Sequence, residues 1–367
     1  MHLTRITLQD FRNLSQVELQ AHERFNVLVG ENGQGKTNLL EAIYWLATLR
    51  PLRANRLVEL IRWGSDLARV RGFVDVDGLE HSLEVRCNRG ERTALREGKK
   101  CGHSDFFGVL SVVLFTPEDV GLVRGSPGDR RKFLDRAIFT GRSAYLSEVQ
   151  GYRRALAGRN ALLRQEAEDY ALEAYEMTLA RHGAKLMAAR RAYVSDLSPL
   201  FEEAFVAIAG AGLKSKIKYR PSVSAQSEDD ESALLKLWQG EREKDRQRGH
   251  TLHGPHSDDL AIELTGRSAR AYASQGQQRA IVLALKIAEI RLLTALRGVT
   301  PVLLLDDVSS ELDPQRNARL FEFLNAFEGQ VFITTTDPSF LKLDAEHRQF
   351  NVHEGAIEVD RPDHQES

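Results

Sequence analysis

The chain has 367 residues, 42% of them hydrophobic, and its 50 Lys and Arg against 52 Asp and Glu give a formal net charge of −2. This length and apolar content predict a substantial core divided between two or three domains. Taken over the whole chain, the near-neutral balance predicts no affinity for nucleic acid, and no apolar run approaches the roughly 18 residues of a membrane helix.

Three features of the sequence bear on where the protein is located and on whether it binds zinc. Residues 1–5 lack the apolar stretch of a signal peptide, so we expect a cytoplasmic protein with no membrane partner. Cys87 and Cys101 lack CxxC and Cys/His zinc spacing, and we expect reduced thiols. His253 and His256 flank a Gly-Pro turn. We expect these histidines to make structural hydrogen bonds and do not expect them to bind zinc.

The charges are unevenly distributed. Residues 50–164 contain 22 Lys and Arg against 14 Asp and Glu, a balance of +8, and the remaining segments sum to −10. A basic block in a neutral chain is typical of a phosphate-binding face, but solvated helix surfaces give the same count. Charge alone leaves both interpretations open.

The first third of the chain is predicted to be mainly strands with one helix. A strand runs directly into Gly30, and an apolar face at helical spacing follows over 37–49. Asp77-Gly78 suits a hairpin turn with positive φ. The predicted strands cover residues 3–8, 25–29 and 110–115, with hairpins over 68–97.

The middle of the chain is predicted to be helical to about residue 209. Ser126 followed by Pro127 has the form of a capped helix start. A seven-residue repeat favours a helix packed in a small helical domain over a free coiled coil, because its second position is not consistently apolar. Polar residues 222–249 predict a loop and an exposed helix. The repeat comprises Leu172, Leu179, Leu186, Tyr193 and Leu200.

Strand and helix signals alternate again after His250. The chain is therefore predicted to be an α/β domain interrupted by a helical insertion, with segments 1–120, 121–249 and 250–367. The predicted strands here are 260–264, 301–306 and 330–335, and the predicted helices are 277–296 and 314–327.

A phosphate-binding loop is predicted between the strand at 25–29 and the helix at 37–49. GENGQGKT at 30–37 fits G-x-x-x-x-G-K-[ST], whose backbone N–H groups and helix N-terminus surround phosphates. Lys36 would reach the β- and γ-phosphates, and Thr37 would coordinate Mg²⁺. The predicted ATP ligands are Gly30, Glu31, Asn32, Gly33, Gln34, Gly35, Lys36 and Thr37.

A second strand, VLLLDD at 302–307, has the form of a Walker B motif. Its four apolar residues predict burial in the sheet, with two carboxylates emerging at the edge where α/β sheets bind ligands. We expect Asp306 to hold Mg²⁺ and Asp307 to position or deprotonate the attacking water.

Two further segments are typical of ABC ATPases. Ser274, Gln275, Gly276 and Gln277 precede a long helix in the manner of the ABC signature, where a hydroxyl and a helix N-terminus suit a γ-phosphate. A plain helix N-cap is the alternative for Ser274. SELD at 310–313 follows at the spacing of the D-loop.

Six segments together resemble the RecF family of SMC-related ABC ATPases over nearly the whole chain. The segments at 114–135 and 254–260 are the most specific, and they argue against a transporter ATPase. The six are FRNL at 11–14, GENGQGKTNLLEAIYWL at 30–46, LFTPEDVGLVRGSPGDRRKFLD at 114–135, GPHSDDL at 254–260, SQGQQR at 274–279 and LLLDDVSSELD at 303–313.

The resemblance implies an ABC-type P-loop ATPase head with a mixed sheet, interrupted by a mainly helical domain. It implies an ATP-dependent homodimer that binds double-stranded and gapped DNA, works with RecR and RecO, and helps load recombinase. Arg12 and Asn13 would lie beside the nucleotide, and Ser274 would face the ATP of the opposite subunit. Independently of the resemblance, their basic spacing makes four arginines DNA-contact candidates, Arg50, Arg53, Arg56 and Arg62, with stabilisation of a helix C-terminus the alternative for Arg50.

Some positions depart from related patterns. Asp307 stands where most ABC proteins have Glu, and its shorter side chain indicates slow hydrolysis. We expect DNA to stimulate this ATPase activity. Thr334 to Thr336 stand near the place of a switch histidine, no Q-loop glutamine is clear near 114–120, and Ser257 replaces a frequent Arg. Alternatives are a small-molecule ABC NTPase and an SMC-like structural ATPase, for which the interval from Lys36 to Ser274 is too short.

Overall fold

The computed structural model describes residues 1–54, 56–88, 91–142, 144–210, 212–223, 229–307 and 314–360. The strands are β1 His2–Phe11, β2 Leu14–Gln20, β3 Phe25–Val29, β4 Leu67–Val76, β5 Leu79–Asn88, β6 Glu91–Arg96, β7 Lys99–Lys100, β8 Val112–Phe115, β9 Ser215–Arg220, β10 Asp259–Leu264, β11 Arg267–Ser268, β12 Val302–Asp306, β13 Val331–Thr335, β14 His347–His353 and β15 Ala356–Val359. The helices are α1 Lys36–Thr48, α2 His103–Phe106, α3 Gly121–Arg124, α4 Pro127–Gly141, α5 Tyr145–Arg164, α6 Asp169–Ala209, α7 Asp230–Arg248, α8 Ala269–Tyr272, α9 Gln275–Arg297 and α10 Pro314–Ala326.

The chain divides into two compact units, Met1–Asp119 with Glu289–Ser367, and Val120–Ala288. The first boundary lies one residue from the sequence-based one, but the second differs by 39 residues, since 250–288 group with the helical unit. The physical reason is strand pairing: β10 pairs with β9 in register from Asp259 with Arg220 to Leu264 with Ser215.

The first unit contains two six-stranded sheets. One is antiparallel, in the order β2-β1-β4-β5-β6-β7, and the other has the order β15-β14-β3-β13-β12-β8 with parallel pairing from β14 to β8. Both contribute to one apolar core that includes helix α1. Phe11 of β1 and Trp45 of α1 are stacked at 5.7 Å in this core, and both are fully buried.

The mixed sheet brings the predicted nucleotide motifs to one edge. Strand β13 lies between β3, which leads into the phosphate-binding loop, and β12, which ends at Asp306. All three strands are parallel, so their carboxyl ends emerge together, as in other α/β sheets that bind ligands there.

The second unit is mainly helical. Helices α5 and α6 pack against each other, and four members of the seven-residue repeat on α6 are buried, whereas Leu200 is half-buried. The expected exposed helix, α7, instead buries Leu234 and Trp238 and packs on α6. Charged residues surround the apolar stripe of α7, and for this reason the sequence pattern predicted an exposed helix. Among the described residues, no helix is long and apolar enough to cross a membrane.

The two most family-specific segments meet through a buried ion-pair network in the second unit. Arg190 of α6 donates to Asp135 at 2.8 Å and to Asp258 at 3.0 Å. Arg130 makes a bidentate pair with Asp259 at 2.7 and 3.0 Å. Because an unpaired buried charge is costly, these pairs fix helix α4 and the start of β10 relative to each other.

Turn residues in this unit make neutral hydrogen bonds. Ser257 donates to the Leu252 carbonyl at 2.9 Å, in place of the ion pair expected from a frequent Arg. His256 lies 2.6 Å from the Tyr152 hydroxyl and 3.0 Å from the Thr251 carbonyl, and burial lowers its pKa. The histidine therefore has the structural role that the turn predicted.

Candidate nucleotide-binding site

The phosphate-binding loop is shaped by close approaches that require glycine. Gly35, at φ 119°, lies in the left-handed region, and a Cβ there would be 3.0 Å from the Asn13 side chain. A Cβ on Gly30 would lie 2.3 Å from the Val352 carbonyl oxygen of the neighbouring strand β14. Gln34 is fixed by the β14–β15 turn, since its carbonyl accepts from the Gly355 N–H at 2.9 Å.

Lys36 lies folded back over this loop. Its ammonium donates to the carbonyl oxygens of Gly30 and Glu31, at 2.8 Å for the latter, and the residue is only 6% exposed. Burial lowers the pKa of Lys36, while the carboxylates of Asp307 and Asp306 act to raise it. The cation is thus held at the loop by acceptors that phosphate oxygens can replace.

Thr37 and Asp306 meet at the adjacent position. The Thr37 hydroxyl donates to Asp306 Oδ1 at 2.8 Å, and the Thr334 hydroxyl donates to the same oxygen at 2.9 Å. Asp306 is 3% exposed. A hydroxyl and a carboxylate oxygen in contact are the oxygen ligands that Mg²⁺ takes beside nucleotide phosphates. The pair therefore fits the predicted metal site.

Asp307 is tied to the same threonine. Its backbone N–H donates to the Thr334 hydroxyl at 3.0 Å, and its φ of 48° is uncommon for a non-glycine residue. Thr334 of the neighbouring strand β13 thus fixes both carboxylate-bearing residues, and the sequence comparison with a switch histidine did not suggest this role. The D-loop prediction at 310–313 lies outside the described residues.

Arg53 lies at the carboxylate edge of the site, where the sequence had suggested a DNA contact. Its guanidinium is 3.1 Å from Asp306 Oδ2 and 3.3 Å from Glu118. Sequence reasoning missed this position because 253 residues separate Arg53 from Asp306. Of the other candidates, Arg56 is exposed, and Arg62 lies 3.9 Å from Asp10; Arg50 is half-buried.

Arg12 and Asn13 lie beside the phosphate-binding loop. Asn13 donates to the Gln34 carbonyl at 3.2 Å, whereas Arg12 makes a bidentate pair, 3.0 Å on each side, with Glu41 of α1. With Arg53 they line an open cavity of about 400 Å³. The Arg12 guanidinium is therefore paired with helix α1, whereas the Asn13 amide contacts the phosphate-binding loop directly.

Ser274 begins helix α9 in the second unit. Its N–H donates to Gln277 Oε1 at 2.8 Å, and the Gln277 N–H donates to the Ser274 hydroxyl at 3.3 Å. Ser274 therefore caps the helix N-terminus, as the alternative interpretation of the motif predicted. Ser274 and Gln275 nevertheless remain exposed at the start of a 23-residue helix. Their role toward the ATP of another subunit stays a prediction.

The family model described as RecF/RecN/SMC N terminal domain matches residues 2–357. The DNA replication and repair protein RecF of Myxococcus xanthus is 48% identical over 98% of this chain and 97% of its own length. The RecF protein of Geobacter sulfurreducens is 45% identical over 97% of this chain and 99% of its own length. The similarity thus extends over nearly the whole of each chain.

Solved structures are also similar. A structure of the recombination mediator protein RecF with ATPrS in the RecFOR pathway aligns with TM-score 0.90, at 31% identity over 98% of both chains. A structure of RecF with ATP aligns with TM-score 0.88 over the same shares. The Smc head domain of Pyrococcus furiosus aligns with TM-score 0.58 at 17% identity, over 98% of this chain and 96% of its own, which shows a common fold.

Proposed function

The chain belongs to the RecF family, and we propose that it is an ATP-dependent DNA-binding clamp of recombinational DNA repair. The observation that carries the proposal is the contact of Thr37 with Asp306 beside Lys36, because it joins the phosphate-binding loop to the Walker B strand in one site. The similar RecF structures with ATP and ATPrS support ATP as the ligand.

Each residue of this edge has a role in binding ATP. The loop N–H groups and the start of α1 surround the β- and γ-phosphates, and Lys36 exchanges its two carbonyl acceptors for phosphate oxygens. Thr37 and Asp306 would hold Mg²⁺, which when bound neutralises charge that develops on the phosphates. Asn13 lies against the loop and supports its shape.

Hydrolysis is assigned to Asp307. Its carboxylate would orient or deprotonate the attacking water, and Thr334 holds its backbone in place. A side chain one methylene shorter than Glu reaches the water less closely, so we propose slow turnover. We further propose that DNA stimulates it, as expected of an ATP-dependent DNA-binding protein. The enzyme would then act as a switch, since its states persist longer than those of a motor.

The switch would be a homodimer. Ser274 and the start of α9 are exposed, so they are accessible to the γ-phosphate of ATP bound by a second copy. Two copies related by a two-fold axis would each complete the site of the other. ATP would join them, and hydrolysis would release them.

Family membership supports a proposal for the partners. We propose that the ATP-bound dimer binds double-stranded and gapped DNA, acts with RecR and RecO, and helps load recombinase at single-strand gaps. Among the sequence-based DNA-contact candidates, Arg50, Arg56 and Arg62 remain, since the Arg53 guanidinium lies on Asp306.

The test is ATP hydrolysis measured with and without duplex DNA, with Lys36→Met as the inactive reference. We expect slow basal turnover that DNA increases, and DNA binding only when ATP is present. A small-molecule NTPase would turn over ATP at the same rate with and without DNA, and that result would overturn the proposal.

A further inference from the structure

The outer face of the antiparallel sheet carries a row of long polar side chains. Opposite residues on five neighbouring strands form this row, which we call the Gln-Arg row, and the residues facing the other side of the sheet are buried in the core. The row contains Gln16, Gln9, Arg69, Arg86 and Thr93.

Two arginines stand directly opposite each other in the row. Arg69 and Arg86 form a cross-strand pair, an arrangement that destabilises a sheet when the charges are alike. Glu84 accepts hydrogen bonds from both, at 2.8 Å from Arg69, and it lies 4.0 Å from Arg71. One carboxylate therefore faces three guanidinium groups, and this cluster has a net charge of +2.

The carboxylate of this cluster is covered, whereas its cations are accessible. Glu84 is 5% exposed, but the side chains of Arg69, Arg71 and Arg86 are 37%, 38% and 44% exposed. The pKa of Glu84 is lowered, because hydrogen bonds and charge from Arg69 and Arg86 outweigh its burial. The cluster thus presents positive charge to solvent, while the carboxylate that pairs with its arginines is buried.

From this charge and geometry we propose that the Gln-Arg row and Arg71 bind the phosphate backbone of duplex DNA. Guanidinium groups match phosphate bidentately, and glutamine and threonine side chains donate to phosphate oxygens without reading sequence. Strands about 4.8 Å apart place the cations close together against a duplex that carries one charge per about 1.7 Å of its axis. The inference rests on the proposed DNA binding and extends it to a surface outside 50–62.

Trp63 provides a reporter near the row. The Arg62 N–H donates to the Asp10 carbonyl at 2.8 Å, so Trp63 comes next in sequence after a residue bonded to β1, the strand that carries Gln9. Trp63 is fully exposed, whereas the other two tryptophans of the chain, Trp45 and Trp238, are fully buried. DNA across the row should therefore shield Trp63 from acrylamide quenching, and Trp63→Phe should remove the signal.

The experiment measures duplex DNA affinity of the ATP-bound full chain against salt concentration. We expect Arg69→Gln with Arg86→Gln to lower the magnitude of the slope of log K on log[salt] by about 1.8, at about 0.9 for each phosphate contact. The single variant Arg86→Gln, which leaves Glu84 with Arg69, should lower it by about 0.9. ATP binding should stay unchanged in both.

Lys218→Gln with Arg220→Gln is the matched control. These two exposed cations also share one carboxylate, Glu263, at 3.0 and 3.3 Å, and their removal changes the net charge equally. The control should keep the parent slope and the shielding of Trp63. An acidic protein partner for the row instead predicts that neither arginine variant changes DNA binding.

The outcomes separate this inference from the proposed function. If the parent binds DNA and both arginine variants keep its slope and its shielding of Trp63, the row is not the contact surface, while the clamp proposal stands. If the ATP-bound parent binds no DNA, both are overturned.

Discussion

Thr37 Oγ1 lies 2.8 Å from Asp306 Oδ1, although 269 residues separate them along the chain. Thr37 belongs to the phosphate-binding loop, which follows β3, and Asp306 ends β12. Strand β13 lies between β3 and β12 and contributes Thr334, which donates to the same carboxylate oxygen. A substitution of Thr37, Thr334 or Asp306 therefore affects the same group of hydrogen bonds at one edge of the sheet.

Thr334→Val should stop most hydrolysis while ATP still binds. The change removes the donor to Asp306 and the acceptor for the Asp307 N–H, and such buried unpaired groups cost about 1–3 kcal/mol of stability. Turnover and urea unfolding measure the two effects. Thr335→Val, which affects a neighbouring hydroxyl bonded to Asp337, should keep turnover. Equal turnover in Thr334→Val and the parent would remove Thr334 from the site.

Lys36→Met should abolish ATP binding and leave the fold intact, because the Lys36 ammonium serves the loop carbonyls. At 100 times Kd, ATP should stabilise the parent by about 2.7 kcal/mol and the variant not at all. Thermal unfolding with and without ATP measures this difference, with Lys99→Met on the exposed strand β7 as control. Near-normal stabilisation of Lys36→Met by ATP would contradict the assignment.

Asp307→Asn should retain ATP and lose hydrolysis, so that the ATP-bound form accumulates. Asp306→Asn should behave differently, because it weakens the predicted Mg²⁺ contact and with it the binding of Mg·ATP. Equilibrium binding of labelled ATP and single-turnover hydrolysis distinguish the two variants. Unchanged turnover in Asp307→Asn would exclude this carboxylate as the base.

Arg53→Gln should act on metal affinity. Its guanidinium lies 3.1 Å from Asp306, and removing a cation there strengthens the attraction of the carboxylate for Mg²⁺. The Mg²⁺ concentration for half-maximal ATP binding should therefore fall, while the salt dependence of DNA binding stays as in the parent. Arg56→Gln, at an exposed arginine, is the control for the Mg²⁺ dependence of ATP binding. A slope reduced by about 0.9 in Arg53→Gln would restore it as a DNA contact.

What the sequence could predict was local. Glycine spacing, apolar strands and the Ser126-Pro127 start are each set by a few neighbouring residues, and strands β3, β12 and β13 lie within a residue of their expected bounds. The contact of Arg53 with Asp306 depends on strand order, which no local pattern specifies.

Packing partners were also beyond local patterns. Helix α7 has charged residues around a narrow apolar stripe, and only the presence of α6 shows that Trp238 is buried. Asp135 and Asp258 were noted for their motifs, but their common partner Arg190 lies on a helix distant from both in sequence. The second unit boundary differed for the same reason, since β10 pairs with β9.

The central claim is that ATP joins two copies through Ser274, and light scattering at saturating ATP tests it most directly. Ser274→Arg should bind ATP and stay monomeric, because the bulky cation fills the space that the facing phosphate needs. Mixed with Lys36→Met, it should form a weak heterodimer, since one of two composite sites is then complete. If Ser274→Arg dimerises as well as the parent, Ser274 does not lie at the interface and the clamp mechanism is contradicted.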